Sequence, residues 1–98
     1  MFVGWARVEL HLPDARSLKD KRVVIRSILD GAHARIRCAG AEVDHLELHQ
    51  RAALGFSVVS NEAGHAKRVI DEIVRRCETA PGAELLRCTD GIFSEDDR

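Results

Sequence analysis

The chain has 98 residues, 45% of them hydrophobic and 32% charged, with a net charge of −1 at neutral pH. That length supports one core and not two, and the balance excludes wholesale disorder. No apolar run approaches the roughly 20 residues of a membrane-spanning helix, and the opening MFVGWARVEL has Arg7 and Glu9 inside its apolar stretch and no signal-peptide cleavage pattern, so a cytoplasmic protein without membrane contact is expected.

Residues 2–12 alternate as a strand does. Phe2, Gly4, Ala6, Val8, Leu10 and Leu12 fall on one face, and Val3, Trp5, Arg7, Glu9 and His11 on the other. Pro13 and Asp14 end it. Ser17 followed by Asp20 has capping-box spacing, and Leu18, Ile25, Ile28, Leu29, Ala32 and Ile36 recur at helical spacing, predicting a helix to about residue 37 with Gly40 just beyond. Strands over about 41–46 and 52–60 follow, joined by ELHQR; in the second, Leu54, Phe56 and Val58 oppose Gly55, Ser57 and Val59.

Ser60 or Asn61 then caps a second helix, with Ala63, Ala66, Ile70, Ile73 and Cys77 as its buried stripe, until Pro81 and Gly82 stop it. A last strand spans about 84–88 and resumes through Ile92 and Phe93, leaving SEDDR as a frayed tail. The order β-α-β-β-α-β predicts an α+β, ferredoxin-like domain over residues 1–93, a four-stranded antiparallel sheet with both helices on one face. The open face then carries Trp5, Arg7, Glu9, His11 and Arg87. Trp5 among charges fits a covering loop or a homodimer interface, or else base stacking.

Cys38, Cys77 and Cys88 have no CxxC or disulfide-framework spacing and read as reduced thiols, with Cys77 and Cys88 buried. In DHLELHQ, His45, Glu47 and His49 offer ligand chemistry for zinc or non-haem iron. On a strand, however, residues two apart are separated by about 6.5–7 Å and His45 from His49 by about 13 Å, while ligands sit about 2 Å from a metal. A metal enzyme at this triad is therefore the remote alternative, and a polar hairpin end the simpler reading. No metal, cofactor or small-molecule substrate is expected.

Charge distribution separates the two helices. From Ser17 to Arg37 there are six Lys or Arg against Asp20 and Asp30, whereas the second helix interleaves Lys67/Asp71, Arg68/Glu72, Asp71/Arg75 and Glu72/Arg76 at i,i+4. Arg16, Lys19, Lys21 and Arg22 crowd the helix start, where the macrodipole disfavours cations. Together with Arg26 they are the expected contacts for an anion such as RNA phosphate.

The stretches GWARVELHLPDARSLKDKRVVIRSILD, AEVDHLELHQRAALGFSVVSN and EAGHAKRVIDEI, covering about residues 3–93, resemble the YlxP-like family of small bacterial proteins of unassigned function. The resemblance implies the ferredoxin-like fold and a setting among translation-initiation and ribosome-binding-factor genes, but no active site. It includes VDH and QRA, so Asp44, His45, Gln50 and Arg51, with Trp5, form a candidate contact surface.

An RNA-recognition motif needs two outward aromatics on its third strand, and LGFSVVSN matches only Gly55 and Phe56. The glycine-rich phosphate loop of acylphosphatases has no counterpart in HLPDARSLK. The expected function is a non-enzymatic module binding RNA or the ribosome in translation or ribosome assembly, or alternatively a homodimeric interaction module using the open sheet face.

Overall fold

The computed structural model of the chain describes residues 1–96. Strand β1 (Phe2–His11) leads through a turn to helix α1 (Leu18–Gly31), which runs into a π-helical turn (Ala32–Ile36). Then come β2 (Ala39–Asp44), β3 (Arg51–Ser60), α2 (Ala63–Glu78) and β4 (Glu84–Ser94). The sheet order is β2-β3-β1-β4, with each neighbouring pair antiparallel. This is the expected ferredoxin-like topology.

The core lies between the sheet and the helices. Ala6, Val8, Leu10 and Leu12 from β1 and Leu54, Phe56 and Val58 from β3 meet Ile25 and Ile28 of α1 and Ala66, Ile70, Ile73 and Cys77 of α2. A fully buried Leu or Ile contributes about 2 kcal/mol, more than a surface ion pair at up to about 1 kcal/mol. The apolar alternation therefore decides which face the helices cover. Ala63 of the expected stripe is exposed, one turn too early to reach the sheet.

Local chemistry sets the ends of the elements. Ser17, extended at φ −154°, accepts the Asp20 N–H on its Oγ at 3.1 Å, while Asp20 Oδ2 accepts the backbone N–H of Arg16 at 2.9 Å. At the start of α2, Ser60 Oγ accepts the Glu62 N–H at 3.1 Å and pairs with His65 Nδ1 at 2.9 Å, so the cap position itself falls to Glu62.

The regular part of α1 is shorter than its periodicity predicts. It loosens at Ala32, closes with Arg37 N–H to the Ala32 carbonyl at 3.0 Å, and ends with Arg37 left-handed at φ 60°. Gly40 is not the cap. It lies in β2, where a Cβ would come within 2.9 Å of the Phe56 ring and 3.1 Å of Leu29.

Strand β2 sits two residues earlier than predicted, because His45 turns left-handed at φ 61° and its carbonyl accepts the Leu48 N–H at 3.0 Å. Strand β4 is continuous through Thr89–Gly91 and bulges opposite Glu9/Leu10. In the segment expected as a tail, Ser94 pairs with Phe2 and Glu95 receives the Met1 ammonium group at 2.7 Å; residues 97–98 lie outside the described residues. Among the described residues, no helix is long and apolar enough to cross a membrane.

Candidate functional site: an open sheet face and a cationic helix

Strand alternation puts Trp5, Arg7, Glu9 and His11 on the face without helices, beside Ser57, Gly55, Ala53 and Arg51 of β3 and Gly91, Thr89 and Arg87 of β4. Trp5 is 40% exposed. Its indole leans across Gly91, where a Cβ would stand 2.8 Å from Trp5 Nε1, so the ring occupies space that a side chain there would take. On one side of the ring is a shallow apolar groove of about 520 Å³ lined by Ala39, Ala41, Val43 and Gly55, with the Val43 side chain over Gly55. On the other is a cleft of about 360 Å³ lined by Trp5, Arg7, Glu9, Arg87 and Thr89.

The far end of this face is a polar cluster centred on Glu9. Its Oε1 accepts from His45 Nε2 at 3.0 Å and lies 3.8 Å from Arg7 Nη2 and 4.0 Å from Arg51 Nη2. Arg7 Nη2 also donates to Asp44 Oδ2 at 3.0 Å, and Asp44 Oδ1 accepts the His45 backbone N–H at 2.8 Å. The His45 hydrogen bond, helped by Arg7 and Arg51, holds the Glu9 carboxyl below its usual range against partial burial. Asp44 is lowered chiefly by the His45 backbone N–H and then by Arg7. Arg51 Nε is buried without a hydrogen-bond partner among the described residues. Gln50 donates to the carbonyls of Pro13 and Ala15 at 3.2 and 3.3 Å, tying the hairpin end to the segment before α1.

Lys21 departs from its expected role as an anion contact. It is 1% exposed, and its Nζ reaches Glu42 Oε2 at 2.8 Å and the carbonyls of His45, Leu46 and Arg51 at 2.9, 3.4 and 3.4 Å. The reason is helical spacing. Lys21 follows Leu18 by three and precedes Ile25 by four, on the apolar stripe of α1, so its stem is buried and its ammonium group needs interior partners. That spacing was available in the sequence as a signal. The Glu9–His45 pairing and the contribution of Arg7 were not, because they depend on where the hairpin folds back.

Arg16, Lys19, Arg22 and Arg26 are exposed and make no ion pair among the described residues, as do Arg35 and Arg37 further on. Segment 16–37 thus shows six exposed cations against two exposed acids, Asp20 and Asp30. Of the four i,i+4 pairs expected on α2, Lys67–Asp71 closes, at 3.6 Å. The Arg76 guanidinium instead packs over Gly31.

His45, Glu47 and His49 do not converge. His45 points to Glu9, the other two lie on the exposed hairpin, and the described residues contain no His, Cys, Asp or Glu group of three able to hold a metal ion. Cys77 is buried as expected and so is Cys38, while Cys88, expected to be buried, is partly exposed. Burial pushes the Cys77 thiol up to about 12 and raises the other two, so none is poised as a nucleophile.

Taken together, the sheet covered on one side, the open aromatic and charged face, and the cation-rich helix define a small ferredoxin-like domain with two exposed surfaces. The solution NMR structure of a de novo designed protein with a ferredoxin fold is similar over 99% of this chain and 89% of its own, with a TM-score of 0.58 at 14% identity, a likeness of fold alone. The chain belongs to the DUF503 family, proteins of unknown function, whose family model matches residues 3–90. It is 26% identical over 82 residues to the "Uncharacterized protein YlxP" of Bacillus subtilis (strain 168), covering 84% of this chain and 89% of that protein.

Proposed function

We propose that this protein is a non-enzymatic RNA-binding module of the translation or ribosome-assembly machinery, holding RNA phosphates on the cations of α1. The observation that carries the reading is the one-sided surface from Arg16 to Arg37, with six exposed cations free of ion pairs among the described residues on a chain whose net charge is −1. A cation without an internal partner retains its full counterion-releasing capacity toward a polyphosphate. Lys21 is excluded from this set, and Arg16, Lys19, Arg22 and Arg26 remain.

The test is binding of purified protein to structured RNA and to ribosomal subunits across a salt series. The expected result is salt-sensitive association that Lys19→Glu, Arg22→Glu and Arg26→Glu together abolish at moderate salt. Neutralising the same three with Gln should lower the log–log salt slope by about 2–3, at roughly 0.7–0.9 per phosphate contact. Absence of salt-sensitive association, or unchanged association in the triple Glu variant, would overturn the reading.

A further inference from the structure

We propose that the open sheet face is a second RNA contact of a different kind, one that holds a single unstacked nucleotide with its base in the apolar groove beside Trp5 and its phosphate at Arg87. The inference rests on the RNA reading above and places on the sheet what helix α1 cannot provide, a surface for a base.

Three features point to this occupant. The groove is shallow and apolar, lined by the small residues Ala39 and Ala41 and closed at one end by Val43, whose side chain covers Gly55, so a flat ring can lie along it against Trp5. Trp5 stands at its edge, 40% exposed and lying over Gly91, and an exposed indole accepts any base through its π-face.

Across Trp5, the cleft is suited to a phosphate. Glu9 is compensated on Oε1 by His45, Arg7 and Arg51, whereas Arg87 has no ion-pair partner among the described residues and Thr89 adds a hydroxyl beside it. Arg7 borders both depressions, but its charge is met by Asp44 at 3.0 Å and Glu9 at 3.8 Å, which leaves Arg87 as the cation for a phosphate.

Trp5 is the single tryptophan of the chain and reports on the site directly. The experiment titrates the full chain with fluorophore-labelled octauridylate and, separately, a short RNA duplex, reading Trp5 emission and label anisotropy together. Octauridylate is expected to quench Trp5 saturably, while the duplex, whose bases are already stacked, binds without quenching. Trp5→Ala and Arg87→Glu should each weaken octauridylate binding about tenfold or more, and Trp5→Phe should retain most of it. The triple Glu variant of α1 should still quench with octauridylate, at lower affinity.

The inference is overturned if octauridylate binds by anisotropy with Trp5 emission unchanged and with Trp5→Ala and Arg87→Glu like wild type; the helix reading then stands alone. No anisotropy change with any RNA at low salt removes both. A sheet-face dimer also overturns it, if seen in sedimentation as a doubled mass that Trp5→Ala halves while Trp5 emission ignores octauridylate.

Discussion

Lys21 lies three residues after Leu18 and four before Ile25, and at that spacing a long cationic side chain is directed inward while its sequence neighbours Lys19 and Arg22 stay in solvent. Its stabilising role depends on the whole group of acceptors. Removing the ammonium group strands Glu42, a fifth exposed, and withdraws a donor from three carbonyls. Lys21→Met is therefore expected to cost about 3 kcal/mol, read as a lower urea midpoint, and adding Glu42→Leu should recover a good part of it. In contrast, Lys19→Met should leave stability within about 0.5 kcal/mol of wild type, as befits an exposed side chain. Composition treats the two lysines alike, and periodicity separates them.

At the scale of elements, the alternation of β1 and β3 and the stripe of α2 made most of the fold legible, since each follows from a period that burial enforces. What periodicity could not give was where elements stop. His45 and Arg37 both take left-handed backbone that the residue types do not favour, and each ends its element at a place no glycine or proline marks. The polar cluster was illegible for the same reason. The His45 turn brings it to Glu9, so the histidine that reads as a metal ligand becomes a carboxylate's partner.

Arg37 closes the π-helical turn at φ 60°, where glycine would sit without strain. Arg37→Gly is expected to raise stability by up to about 1 kcal/mol in urea denaturation, while lowering the salt slope of RNA binding by about one contact.

Across the whole molecule, the acids with lowered pKa values gather at one end of the open face. Glu9 and Asp44 both sit below their ordinary values of 4.5 and 3.8, so their contribution to stability is complete above those values and is lost as pH falls through the lower folded ones. Urea midpoints measured from about pH 7 down to about pH 2 should therefore be flat at first and then decline in the acid range. Glu9→Gln with Asp44→Asn should flatten that acid limb. The Lys21 ammonium group has a consequence at this scale too, because it fastens α1 to the carbonyls of the hairpin that borders the sheet face. Helix α1 and the hairpin are thereby held at one fixed spacing, so neither can shift along the sheet without the other.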